Sequence, residues 1–446
     1  MARPSPTDRL DLLETSLRQL LEPLIRPPVL RTRGRPTALT AGLLWAGLLV
    51  CILRSVPRRS EIWRLLSEAG LWDYDRLAMD PEAVRIRLKR AGAAPLQRLF
   101  TQITAELATR TTGYPTLAAF ASAVYAIDDT TLDQVRRLLP QTETGQPLRQ
   151  AVLPGKLTCV FDIRQQLFRH VVPSELPHQN PKASMERVRT LLPAGSLLLL
   201  DLGYFSFPLF DALSDDGLWF VTRLRAGTTT EQRHVLSQQP GLHDSWVWLG
   251  VYRANQARHC VRRIAVTVGG KERVYLTNVL DPDQLSVAEV VELYARRWDI
   301  ELAFKTLKRE LGLRLLWASD WEQILQQVWA TLIVAQVAHS IRQQIAERAG
   351  VDLFDVSLAL LLRTLPQIVR RGEDDIIGII AGFKPTRGGI IRPSSRAKHR
   401  VPPVGQIDRP PPALTLVRAG RYAGRRCGPD GSNRHPVCIP APVAGS

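Results

Sequence analysis

The sequence predicts an α/β fold: a strand-and-helix core, interrupted by a β subdomain and flanked by helical regions at both ends. Three observations carry this. Two apolar runs that end in acid, SAVYAIDD (122–129) and GSLLLLDLGYF (195–205), read as short buried strands. Helical and strand patterns alternate around the second of them: SMERVRTLL and PLFDALSDD as helices, GLWFVTRLR as a strand. A separate block, 228–282, alternates apolar and polar residues like an antiparallel sheet (SWVWLGVYR, HCVRRIAVTV, RVYLTNVL).

Taken in order, residues 1–115 read as a helical domain. LDLLETSLRQLLEPLI has a period near 3.6 and stops at Pro27-Pro28. Leu39–Arg54 is the next helix, and Ser60 begins another. Asp80-Pro81 supplies an N-cap and a first-turn proline for EAVRIRLKRAG, and a further helix runs from Pro95 to about Arg110. The core's first part spans 116–227. After the strand at 122–129, KLTCVFDIRQQLFRHVV gives two more strands with a tight connection near Arg164-Gln165. The resulting order, β-β-β-α-β-α-β, is the ribonuclease-H-like pattern. Residues 283–318 return to the core: Ser286 caps a helix running through AEVVELYARRWDIELAFKTLKRELG, and Gly312 ends it. Two C-terminal helices fill 319–383. The segment 384–446 is rich in Pro and Gly and reads as a largely disordered tail.

Charge narrows the class of partner. The chain of 446 residues carries a net +17, which favours a polyanion and most simply nucleic acid. From Lys384 onward twelve Lys or Arg face two Asp, a net +10, so the tail suits non-specific phosphate contact. Lys305 and Lys308 are two of only eight lysines beside 51 arginines. Five cysteines without a CxxC pair argue against a disulfide framework and for a reducing compartment. Cys427, His435 and Cys438 lack a fourth ligand at zinc spacing. The N-terminus has no early apolar core, so no signal peptide is expected. The apolar run Leu39–Leu53 is shorter than the roughly 20 residues of a membrane span, which makes it a buried helix. The expectation is a cytoplasmic, nucleoid-associated protein with no membrane.

The chemistry concentrates in YARRWDIELAFKTLK. Tyr294, Arg297, Glu301 and Lys308 follow at spacings of three, four and seven residues. On a helix these side chains fall within about 60° of one another, over about 21 Å of axis. The neighbouring Leu293, Trp298, Ile300, Leu302, Phe304 and Leu307 lie mostly elsewhere on the wheel and are expected to pack. A solvated helix face with i,i+4 partners would look similar. The wider context decides: Asp128 ends the first core strand and Asp201 the fourth, and in this strand order those strands are neighbours. Together with Glu301 they make three carboxylates without His or Cys, hard donors that suit two Mg²⁺ or Mn²⁺ ions in phosphoryl transfer.

These motifs resemble bacterial insertion-sequence transposases of the cut-and-paste DDE type, in the branch with a Y-R-E-K signature (the insertion-sequence-four family). Tyr294-x2-Arg297-x3-Glu301-x6-Lys308 fits that signature at every spacing, AIDDTTL (126–132) resembles the first-Asp motif, and LLDLGYF (199–205) the second. FVTRLR (220–225) resembles the strand that follows. The resemblance covers residues 115–315 well. It implies a DNA transposase that binds the terminal repeats of its element, cleaves them with metal, forms a hairpin and joins the ends to target DNA. Asp128, Asp201 and Glu301 would be catalytic and hold the metal, while Tyr294, Arg297 and Lys308 would bind DNA. A homodimer on paired ends and an aromatic stacked on a flipped base are implied too. Trp246 and Trp248 are candidates for the stacking, but core packing is the role expected first of either one, and Trp298 is expected to pack its helix. DDTT departs from the usual motif and offers two registers, Asp128 and Asp129.

A metal-independent alternative is a tyrosine recombinase, with His259-x2-Arg262 followed by Tyr294 as nucleophile. Against it, HCVRRIAVTV reads as a strand, whereas that motif belongs in a helical domain. An inactive DNA-binding relative is a third reading, but no signature residue is missing.

Overall fold

The computed structural model describes residues 12–25, 39–56, 58–110, 113, 116–139, 148–250, 256–369, 375–393 and 401–418. The N-terminal helices form where the periodicity predicts: α1 (Leu12–Ile25), α2 (Ala41–Leu53), α3 (Ser60–Arg64), α4 (Pro81–Ala91) and α5 (Ala94–Arg110). Asp80 accepts a hydrogen bond from the Glu82 amide, with Pro81 in the first turn of α4. The apolar α2 is buried from Gly42 to Ile52, as a helix without a polar face must be.

The core strands are β1 (Val124–Thr131), β4 (Lys156–Asp162), β5 (Leu167–Ser174), β6 (Leu197–Leu200) and β7 (Trp219–Arg223); β2 (Val135–Leu139) and β3 (Leu148–Val152) make a separate two-stranded ribbon. Helix α6 (Pro181–Arg189) precedes β6 and α7 (Phe207–Asp215) follows it. β1 pairs antiparallel with β4 and parallel with β6, and β6 pairs parallel with β7. The first and fourth predicted strands, β1 and β6, are thus adjacent. The two faces of this sheet separate by side-chain parity. Val124, Ala126, Leu197 and Leu199 join the larger core with the N- and C-terminal helices. Tyr125, Ile127, Leu198 and Leu200 join Met185, Val188, Leu209 and Phe210 of α6 and α7.

Strands β8 (Thr230–Gln239), β9 (Leu242–Leu249), β10 (Val261–Val268) and β11 (Lys271–Thr277) fill the predicted insertion. They do not form a sheet of their own. β11 pairs antiparallel with β7 at Tyr275, Leu276 and Thr277, which gives one nine-stranded sheet in the order β5-β4-β1-β6-β7-β11-β10-β9-β8.

The predicted long helix from Ser286 is divided. α8 (Val287–Arg296) begins with a full capping box, Ser286 with Glu289. α9 (Trp298–Lys305) follows after a turn at Arg297, and a wide π-helical turn, Thr306–Glu310, completes it. Gly312, at φ +73°, ends the run as a C-terminal glycine does. Helix α10 (Trp321–Ala349) is long and apolar enough to cross a membrane, but its apolar window is wholly buried within the protein. It packs on α1, α2, α5, β5 and α12 (Ile376–Ala381), and α11 (Leu358–Val369) lies beside it. Inside this core Gln336 accepts from the Phe168 amide at 3.0 Å and donates to the Phe168 carbonyl at 2.9 Å. That satisfies the Phe168 backbone groups on the outer edge of β5.

The tail departs from expectation. Residues 401–418, read as part of a disordered segment, form a strap along the inserted strands. Leu416 accepts from the Cys260 amide at 2.7 Å, Asp408 donates to Leu236, and Ile407 and Leu414 pack on Leu236, Trp246 and Cys260. Prolines forbid regular structure but not docking through the remaining backbone groups. Cys427, His435 and Cys438 lie outside the described residues.

Candidate active site

Asp201 directly follows β6 as expected, but Asp128 does not end its strand: β1 runs on to Thr131 through its pairing with β4. Parity fixes which carboxylates share a face. Asp128 continues the series Val124, Ala126; Asp201 continues Leu197, Leu199; both therefore point to the side occupied by α8 and α9. Asp129 points to the other side. It takes the Lys156 ammonium at 2.5 Å, the Thr158 hydroxyl at 2.6 Å and the Tyr204 hydroxyl at 3.0 Å. Its oxygens are spent on a buried lysine that would otherwise be uncompensated. Of the two registers in DDTT, the structure gathers Asp128 with the other site residues.

The gathering point is Arg297, which is 5% exposed. Its guanidinium lies 2.9 Å from Glu301, 3.6 Å from Asp128 and 3.9 Å from Asp201. The turn between α8 and α9 is where this side chain enters the site. Burial opposes its charge, but Asp201, Tyr294, Glu301 and Asp128 outweigh that and raise its pKa. Asp128 goes the other way. Burial pushes its carboxyl up to about 6, assisted by Asp201 and Glu301, while the Asp129 amide (2.8 Å) and Arg297 pull it down.

Tyr294 is buried, its ring 5.3 Å from that of Tyr275 and beneath the guanidinium groups of Arg223 (5.8 Å) and Arg297 (5.9 Å). Burial raises its pKa against the pull of those two cations. Lys308 reaches back over the end of β1, donating to the Thr131 carbonyl at 2.6 Å with Asp133 at 3.4 Å. Tyr294, Arg297 and Glu301 are therefore together with Asp128 and Asp201, while the Lys308 ammonium engages the end of β1. Arg223 was not foreseen; its only signal was a cation ending the strand next to the Asp201 strand.

Trp298 and Leu302 correct the helix wheel. They are 54% and 49% exposed, and the Trp298 ring lies 5.4 Å from the Arg297 guanidinium. The signature helix packs by Leu293, Ile300, Phe304 and Leu307, and the turn at Arg297 leaves Trp298 at the rim of the site. Trp246 is buried and donates to the Leu280 carbonyl, and Trp248 sits between Arg233 (4.1 Å) and Arg418 (5.1 Å). Both are occupied by protein partners.

The recombinase alternative fares worse. Arg262 is fully buried in a bidentate pair with Asp244, at 2.9 and 2.6 Å. His259 pairs with Asp215 at 2.8 Å. Neither is available to a phosphate at Tyr294.

Three carboxylates without softer ligands fit a hard divalent ion. Among the described residues no three such groups form a closed cage, and the Arg297 guanidinium lies within 4 Å of all three carboxylates.

Residues 120–336 match the family described as transposase DDE domain. The transposase InsG for insertion sequence element IS4 of Escherichia coli (strain K12) is 25% identical over 341 residues, 72% of this chain and 74% of that protein. A piggyBac transposase in a synaptic complex with hairpin DNA, solved by cryo-EM, is a distant structural likeness: TM-score 0.38, 11% identity, 84% of this chain and 82% of that one. With a transposase DDE domain matched over residues 120–336 and both Asp motifs around a complete Y-R-E-K helix, the chain is similar to the DDE transposases of the insertion-sequence-four family.

Proposed function

We propose that this protein excises and inserts its own element by a cut-and-paste route, with metal-dependent strand cleavage, hairpin formation and strand transfer on a ribonuclease-H-like core. The observation that carries this is the convergence of Asp128, Asp201 and Glu301 on one buried arginine, just past Ile127 and Leu200, the last parallel pair of two adjacent strands. Asp128, Asp201 and Glu301 are the residues that would hold two Mg²⁺ or Mn²⁺ ions. Bound there, such ions would stabilise the attacking and leaving oxygens of an in-line displacement.

The chain's own groups do the rest. Arg297 and Lys308 offer cations to phosphates beside the scissile bond, and Tyr294 lies against Arg297 to orient it. Trp298, exposed at the rim, suits contact with an unpaired base. The N-terminal helices would bind the terminal repeats, and two copies would pair two ends. The cytoplasm, at the nucleoid, is the place this reading assigns.

The test is cleavage of a duplex carrying the element's own end, with Mg²⁺ or with excess EDTA, by the wild type and by Glu301→Gln. Cleavage is expected only with metal and only in the wild type, while end binding persists in the variant. Cleavage in EDTA, or a covalent adduct through Tyr294, would reject the proposal.

A further inference from the structure

Two buried arginines in this protein face carboxylates in different ways. Arg262 spends its donors on fixed partners: three hydrogen bonds to Asp244 and one to the Leu285 carbonyl, with both charged side chains out of solvent. That is a closed structural pair. Arg297 is divided. Only its 2.9 Å contact with Glu301 has the length of a hydrogen bond. The approaches to Asp128 and Asp201, 3.6 and 3.9 Å, are electrostatic. Its Nε is buried and has no hydrogen-bond partner among the described residues, so one donor remains unspent there. The three carboxylates remain partly open to solvent, 22% to 39% by side chain, so an ion can reach them.

One cation shared by three carboxylates does the electrostatic work of a metal without a metal's coordination. We propose that Arg297 is the exchangeable counter-ion of Asp128, Asp201 and Glu301. It keeps them together in the DNA-free protein and transfers to a DNA phosphate when divalent ions take its place. This rests on the metal-dependent reading above and adds to it. Arg297 is then a positioning residue that couples two ligands. Metal binding frees the guanidinium for phosphate, and phosphate binding frees the carboxylates for metal. Linkage makes the effect reciprocal: DNA must tighten metal binding by the factor by which metal tightens DNA binding. Couplings of this kind span roughly 5- to 150-fold.

The experiment is a Mn²⁺ titration of the full chain followed by the electron paramagnetic resonance of the free ion. It is done with and without a pre-cleaved duplex ending at the element's terminus, so that no cleavage is required. For the wild type, DNA is expected to tighten Mn²⁺ binding about tenfold or more. Arg297→Gln should bind Mn²⁺ tightly without DNA and respond little to it, and Arg297→Lys should fall between. A purely structural role would not move this dependence. Equal wild-type Mn²⁺ affinity with and without DNA overturns the proposal and leaves the metal site standing. Absence of Mn²⁺ binding in every protein and condition overturns the metal reading itself. Should Arg297→Gln fail to fold by circular dichroism, the two wild-type titrations decide alone.

Discussion

Replacing Asp128 with Asn is expected to make the protein more stable at neutral pH while abolishing cleavage. Asp128 has its pKa raised to about 6 from an ordinary 3.8, first by burial and then by the neighbouring Asp201 and Glu301. Folding therefore favours its protonated form. The stability this lends is fully present below the unfolded pKa and is lost as pH rises through about 6. A shift of about two units corresponds to roughly 2–3 kcal/mol at neutral pH. Asn keeps an oxygen for the Asp129 amide and removes the charge. Thermal melts in EDTA at pH 7.5 should show the variant several degrees above the wild type, and the gap should shrink as pH falls below about 6 and close only below 3.8. A variant less stable at pH 7.5, or a gap independent of pH, would refute the argument that the site stores instability in this carboxylate.

Asp129→Ala should do the opposite, since it strands the buried Lys156 ammonium; a loss of about 3–5 kcal/mol is expected, and a melt unchanged from the wild type would return Asp129 to consideration as the first ligand. Truncation after residue 418 should leave the melting temperature in place, whereas truncation after 400 should cost roughly 2–4 kcal/mol by uncovering Leu236, Trp246 and Cys260; equal melts for the two would mean that the strap contributes nothing. Trp298→Ala removes an exposed ring and should leave the fold within about 0.5 kcal/mol while lowering hairpin formation; a normal hairpin yield would place the base elsewhere.

The legible part of this protein is the part written in side-chain pattern. Leu197–Leu200 followed by Asp201 could only be a buried strand with a polar end, and the Ser286–Glu289 pair marked a helix start to the residue. The spacing from Tyr294 to Lys308 survived the turn at Arg297 because a single irregular residue rotates a helix only slightly. What escaped was written in backbone hydrogen bonds. The strap 401–418 has no periodicity, and its attachments at Asp408 and Leu416 are main-chain bonds that composition does not encode. The pairing of β11 with β7 joins two strands that each looked complete alone. β8 and the β2–β3 ribbon carry too many charged and polar residues to stand out. The phosphate role of Arg297 is what the family resemblance implies; a wheel shows direction but not distance, so its closeness to all three carboxylates was not legible.

The strap also ties completion of the fold to the order of synthesis. The surface formed by Leu236, Trp246 and Cys260 leaves the ribosome early, and the Ile407 to Arg418 segment that covers it is made about 160 residues after Cys260. At roughly 5–20 residues per second that is an interval of about 8–30 seconds. Throughout it the nascent chain shows an uncovered apolar patch and an unpaired edge at 258–260. A chain released after Lys308 but before Ile407 keeps that patch for its lifetime, so premature termination there yields a protein that has every candidate site residue and a sticky flank, a natural client for chaperones and proteases.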